Sequence, residues 1–269
     1  TPVEVMRVLR KASKHCYLLE SASQTEVWGR FSFLGYEPAM EITCTDGILN
    51  IRKTGEDMVV TKKVEHPGDT LREIIEQYKT PVMEELPPFT GGLVGYFSYD
   101  YIKYSEQKLK LEDKEQQDFR DMDLMLFDQV IAFDHYRQKV LLIAGVMTDD
   151  LEASYQKAEE KLEDMAELLK NGPHMEFEKL KLESEIQPKF PEPEYCKMVE
   201  KAKHYIREGD IFQVVLSNPM RAKAEGSLFD TYRVLRATNP SPYMFYFSSD
   251  DIEIAGASPE TLVKLEHGR

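Results

Sequence analysis

The stretch "MDLMLFDQVIAFDHYRQKVLLIAGV", Met122–Val146, decides the fold class. Its β-branched and aromatic residues flank the polar segment His135–Gln138, so it predicts a long strand, a turn and a return strand. "AMEITCTDGILNIRK", Ala39–Lys53, repeats the theme around Asp46-Gly47, a two-residue hairpin signal. Between them "PGDTLREIIEQYK" sets Leu71, Ile74, Ile75 and Tyr78 on one helical face, with Asp69 or Thr70 as the N-cap. "GGLVGYFSYDYI", from Gly91, matches neither the phosphate-binding P-loop nor G-x-G-x-x-G. Its glycines are expected where backbones approach closely in or beside a strand.

Helices enter further along. Leu151, Tyr155, Ala158, Leu162, Met165 and Leu169 recur at helical spacing, after Asp149 and Asp150 as caps and before the Asn171-Gly172-Pro173 stop. The polar, proline-punctuated segment that follows predicts a connector over 173–191, separating a domain of residues 1–172 from the start of a second domain, 192–269. In that second part "EPEYCKMVEKAKHYIREG" predicts a helix ending at Gly209, and "DIFQVVLS" a strand. "SLFDTYRVLRATNP" predicts a helix with Ser227 and Asp230 in capping-box positions and Leu228, Tyr232 and Leu235 facing inward. "PYMFYF", "IEIAG" and "TLVKLE" predict strands. His267-Gly268-Arg269 reads as a turn with no returning strand, which suggests the front part of a longer protein.

Composition excludes several classes. The net charge of −14 over 269 residues argues against a nucleic-acid partner, because the basic residues are interleaved with acidic ones, as in "KAEEKLEDMAELLK". Three scattered cysteines, Cys16, Cys44 and Cys196, form neither a disulfide framework nor a zinc pattern, which fits a reducing cytoplasm. The six histidines show no metal-ligand spacing, and no metal site is expected in this chain. No apolar run approaches the roughly 20 residues that span a bilayer.

Five segments in order carry a resemblance: "LLES" with "WGRFSFLGYEP", then "GDIFQVVLS", "NPSPYMFY" and "GASPETLVKLE". Together they resemble anthranilate synthase component I, from about residue 10 to the end of the chain. The resemblance implies an α+β fold of packed antiparallel sheets flanked by helices. It implies a hetero-oligomeric lyase that converts chorismate and ammonia to anthranilate and pyruvate in tryptophan biosynthesis. Ammonia would come from a partner glutamine amidotransferase. Mg2+ would hold the substrate carboxylate, with ligands lying beyond Arg269, so the chain by itself is expected to be inactive.

It further implies that Ser21, Pro242, Tyr243 and Met244 hold the feedback inhibitor L-tryptophan, with Glu20 balancing its ammonium. A hydroxyl, apolar surface and a polarizable sulfur suit an amino acid with a flat indole. By composition alone the two segments read as a strand end and a buried strand. Gln213 stands where water-adding relatives carry lysine, which can act as a general base, so it favours an amine-forming enzyme. A glutamine that only bonds a strand neighbour remains an alternative. So do aminodeoxychorismate synthase component I, which also has glutamine there, and an isolated tryptophan-binding or partner-docking module without catalysis.

Overall fold

A computed structural model describes residues 1–22, 29–106, 108–109 and 119–265. Trp28 and the expected turn at 267–269 lie outside them. In chain order the elements are α1 (Pro2–Ala12), β1 (Cys16–Glu20), β2 (Phe31–Tyr36), β3 (Met40–Thr45), β4 (Ile48–Lys53), β5 (Val59–Lys63), α2 (Pro67–Gln77) and β6 (Gly92–Phe97). After a 3-10 turn at Tyr99–Tyr104 come β7 (Met122–Phe127), β8 (Gln129–Asp134), β9 (Lys139–Ala144) and α3 (Leu151–Asn171). The remainder comprises β10 (Lys181–Leu182), β11 (Gln187–Pro188), α4 (Glu192–Glu208), β12 (Met220–Arg221), β13 (Ala224–Glu225), α5 (Phe229–Thr238), β14 (Tyr243–Ser248) and β15 (Glu253–Ser258).

Two compact units divide this chain, Thr1–Glu176 with Thr231–Arg269, and Phe177–Asp230. The first contains two antiparallel sheets, ordered β15-β14-β1-β2-β8-β9 and β5-β4-β3-β7-β6. The expected hairpin holds, with Thr45 opposite Ile48 and both turn residues at positive φ, Asp46 at 48° and Gly47 at 74°. Gly95 answers the close-approach expectation. A Cβ there would lie 2.8 Å from Leu124 Cα on the neighbouring strand.

The long strand expected over Met122–Asp134 is two strands in two different sheets. The chain crosses at Asp128, whose carbonyl accepts from the Gly145 amide at 2.7 Å and whose carboxylate accepts from Lys161 on α3 at 2.6 Å. Alternation continues unbroken through the crossing because β7 is buried on both faces. Met122, Leu124 and Leu126 pack with Ile42, Leu49, Leu71 and Ile74 under α2. Met125 and Phe127 face the other way, against Tyr17 and Phe247 of the six-stranded sheet. The two sheets therefore pack on each other, while α1 contacts β1 and β2, and α3 contacts β9. Burying an aliphatic side chain such as Leu71 or Ile74 contributes roughly 1.5–3 kcal/mol. Ile75, expected on the same face, is exposed, and α2 begins at Pro67 after His66 with Asp69 and Thr70 already inside its first turn. α3 begins as expected, with the Asp150 side chain accepting from the Ala153 amide.

Residues 231–265, expected in the second domain, supply β14 and β15 to the six-stranded sheet, and the first unit boundary falls inside the expected connector. Within the Phe177–Asp230 unit, β10 pairs with β13 and β11 with β12, so two short stretches of that connector are laddered. α4 ends on Gly209 in the left-handed conformation, as its sequence predicts. The strand expected over Asp210–Ser217 does not form. Phe212 and Val215 are exposed and no strand pairs with them among the described residues. β-propensity without a neighbouring strand does not make a ladder. Residues 261–265 form no strand either, and no strand pairs with them among the described residues; Leu262, Val263 and Leu265 are exposed.

Between the packed sheets lies Asp123, fully buried, with Oδ2 accepting from Arg120 at 2.5 Å and Oδ1 without a hydrogen-bond partner among the described residues. Burial pushes its carboxyl up to about 6, against the opposing pull of Arg120. A folded-state value above the unfolded one means the charged form destabilises the fold, so Asp123 adds stability as pH falls from about 7 toward 4. Asp123→Asn should accordingly raise stability at pH 7.5 by about 2–3 kcal/mol. In urea unfolding at stepped pH, this gain should shrink through pH 6 and vanish near pH 4; a constant difference would contradict the assignment.

Candidate functional site

The two segments expected to share a ligand are neighbours, although more than two hundred residues separate them in the sequence. β1 and β14 run antiparallel with Cys16 opposite Ser248, Leu18 opposite Tyr246 and Glu20 opposite Met244. The pairing continues beyond the strands, where the Ala22 amide donates to the Ser241 carbonyl at 2.9 Å. Ser21, half-buried, is thereby carried alongside residues 241–243. Period-2 alternation then sorts the side chains. Glu20 shares a face of β1 with Leu18 and Cys16, whereas Ser21 follows Tyr17 and Leu19 on the face turned to the other sheet.

On that second face Tyr243 hydrogen-bonds through its hydroxyl to Thr261 Oγ1. Pro242 is exposed and Met244 is almost wholly buried. The Ser241 hydroxyl lies 3.0 Å from the Tyr243 carbonyl and 3.5 Å from the Met244 sulfur, fixing the bend that leads into β14.

On the opposite face Glu20, only 6% exposed, makes an anchor that sequence reasoning did not predict. Its Oε1 accepts from the Tyr232 hydroxyl and from Arg236 Nε at 2.8 Å. Tyr232 and Arg236 lie one turn apart on α5, the i, i+4 spacing that points both side chains at one target. Burial and the adjacent carboxylate push the Tyr232 phenol far above its ordinary value, so it remains a proton donor. Hydrogen bonds to a buried charge contribute roughly 1.5–3 kcal/mol each. The i, i+4 Tyr–Arg pair was visible in the sequence, but Tyr232 reads there only as an inward apolar residue.

Below this anchor, β2 and β8 carry a second polar cluster. Arg30 grips Asp134 with two hydrogen bonds, 3.0 and 2.6 Å, and the Tyr136 and Arg137 amides donate to the same carboxylate. These donors, Arg30 foremost, hold the Asp134 carboxyl down at about 2. His135 Nε2 lies 2.7 Å from the buried Ser32 hydroxyl, and burial lowers the imidazole below its usual range.

Gln213 is exposed within the unpaired 210–217 segment. Among the described residues, one cluster brings three metal-ligand side chains within 4.8 Å of each other: His15, Glu41 and Asp250. Arg52 occupies it, donating to Glu41 at 2.6 Å and to Asp250 at 2.9 Å. An imidazole in the set and a guanidinium already neutralising the carboxylates do not fit Mg2+, which takes near-ideal octahedral oxygen coordination. The cluster is an arginine-centred clamp that fastens the β14–β15 turn to β3 and β4.

The site therefore sits at one end of a two-sheet sandwich, where two remote segments are joined by strand pairing. Residues 14–269 match the family model described as chorismate binding enzyme, and the chain belongs to that family. It is 34% identical over 280 residues to an Aquifex aeolicus protein called "Anthranilate synthase component 1", covering 100% of this chain and 55% of that protein. The protein of the same name from Acetivibrio thermocellus is 32% identical over 277 residues, with the same coverage. The crystal structure of anthranilate synthase component I from Streptococcus pneumoniae TIGR4 superposes with a TM-score of 0.70 at 35% identity, covering 89% of this chain and 52% of that one. The chain thus spans about half the length of the relatives it matches. No described helix is long and apolar enough to cross a membrane.

Because Asp134 is depressed below its unfolded value, it contributes stability that is present above about pH 4 and lost as pH falls toward 2. Asp134→Asn should therefore lower stability at pH 7 by about 2–3 kcal/mol. Acid titration of folding should show that deficit closing between pH 4 and 2; equal acid midpoints for both proteins would contradict it.

Proposed function

We propose that this chain forms part of the large subunit of an anthranilate synthase, which converts chorismate and ammonia to anthranilate and pyruvate. What carries the reading is the similarity to anthranilate synthase component 1 proteins along 100% of the chain, joined to the pairing of "LLES" with "PYM" at one sheet end. In this reading a glutamine amidotransferase is the partner that supplies ammonia, Mg2+ acts as Lewis acid on residues outside this chain, and the cytoplasm is the compartment. Gln213 is proposed to line the substrate side. Its side chain cannot take a proton usefully, which suits amine addition over hydration.

Ser21, Pro242, Tyr243 and Met244 are proposed as the L-tryptophan site. Ser21 offers a hydroxyl, Pro242 and Tyr243 offer surface to the indole, and Met244 supports the segment from within. Glu20, expected at the ligand's ammonium, already holds two donors on the other face of β1. Backbone carbonyls of the two segments remain to serve the ammonium. The amine position on the product separates this reading from aminodeoxychorismate synthase, since the latter places it para to the carboxylate.

The intact enzyme given chorismate, ammonia and Mg2+ should develop anthranilate fluorescence, and the 269-residue chain alone should not. Aminodeoxychorismate as product would overturn the assignment. In the intact enzyme Ser21→Ala should keep its rate and lose tryptophan sensitivity about tenfold, the weight of one charge-assisted contact; unchanged sensitivity would remove Ser21 from the site.

A further inference from the structure

We infer that α5 is the output element of the candidate tryptophan site, and that Tyr232 and Arg236 are the positioning residues through which it responds. The inference rests on the proposed regulatory reading and deepens it. Both ligand segments terminate on this one helix, by different means. Residues 239–242 join α5 to β14 directly, and the Asn239 amide caps the helix on the Leu235 carbonyl at 2.8 Å. Glu20, adjacent to Ser21 on β1 and opposite Met244 on β14, grips α5 through Tyr232 and Arg236.

The alternation of β1 makes this a lever. A ligand settling against Ser21 and Tyr243 acts on one face of the sheet end. Because Glu20 is the next residue along the same backbone, any rotation of that strand end moves its carboxylate on the other face. That carboxylate is buried against a phenol that remains protonated, so it cannot slip without leaving a charge short of donors. Discrete rearrangement, not gradual drift, is what a packed buried pair allows. Arg236, the more exposed partner at 39% side-chain exposure against 2% for Glu20, is the member that can re-aim. α5 is also continuous in the chain with the Phe177–Asp230 unit, since its first two residues belong to it.

Allosteric coupling is reciprocal, so it is read as the factor by which one ligand changes the affinity of the other. The test titrates L-tryptophan calorimetrically into the intact enzyme with its amidotransferase, with and without chorismate, and with glutamine and ammonia withheld so that no turnover occurs. Chorismate should weaken tryptophan binding to the unsubstituted enzyme by about 5–150-fold, the usual range of coupling. In Tyr232→Phe and Arg236→Met the factor should fall to within about threefold of unity, while tryptophan affinity without chorismate changes by less than about threefold. Arg236→Lys, which restores the charge and a donor, should recover part of the coupling, and it keeps the test open should Arg236→Met fail to fold. A wild-type factor in both Tyr232→Phe and Arg236→Met overturns the output role and leaves the tryptophan reading standing. Loss of tryptophan binding in Tyr232→Phe makes α5 a wall of the pocket and also overturns it. No tryptophan heat in the unsubstituted enzyme overturns the regulatory reading itself and the inference with it.

Discussion

The antiparallel pairing of β1 with β14 is the constraint on which the rest depends. It joins Cys16–Glu20 to Tyr243–Ser248 across most of the length of the chain and lies inside the six-stranded sheet, between its second and third strands. Remove it, and β14-β15 detaches from β1-β2-β8-β9, Tyr17 and Phe247 lose their common place between the sheets, and Ser21 has no reason to meet Tyr243. Long-range strand pairing carries a large loop-closure entropy, so it must be held by several independent contacts. The arginines supply two of them: Arg52 clamps Asp250 to Glu41, and Arg120 clamps Asp251 to Asp123. Both act at the turn of the β14–β15 hairpin, at the far end of β14 from the candidate ligand segment.

The polar interior of this sandwich has opposite electrostatic characters in different places. Asp134 is surrounded by donors and favours its charge, whereas Asp123 is buried, with one oxygen unpartnered among the described residues, and disfavours it. Glu20 is the case on which the proposed regulation turns, because Tyr232 and Arg236, which donate to it, come from a helix, not from its own sheet. A strand end fastened to a helix through a carboxylate and to a neighbouring strand through the backbone has two faces that cannot move separately. That is the physical basis for assigning ligand contact to one face and response to the other.

Local features were legible in the sequence wherever the cause was local. Asp46-Gly47 names its own turn, Gly209 its helix end, and Asp150 its helix start. Features that depend on distant partners were not. The split of Met122–Asp134 at Asp128 is invisible to alternation, because both halves are buried on both faces and the pattern never breaks. Asp210–Ser217 has the composition of a strand and, among the described residues, no strand to pair with. Ile75 sits on the shoulder of the α2 stripe, where a period count cannot tell cover from solvent. For the site, the resemblance brought Ser21 and Tyr243 together, while Tyr232 and Arg236 stayed hidden because a tyrosine at an inward helical position reads as core. Their common target, a glutamate more than two hundred residues away, exists only once the sheet has formed.

The most direct test of the account is the register of that central pairing. Leu19 and Phe245 are cross-strand partners, and opposed residues in an antiparallel pair have Cα atoms about 4.5–5.5 Å apart, within disulfide reach. With cysteines at 19 and 245, mild oxidation should give an intramolecular disulfide identified by peptide mass mapping, and cysteines at 19 and 247 should give none. Efficient linkage of 19 to 247, or of neither pair in a folded protein, would contradict the sheet order and with it the proposed meeting of the two ligand segments.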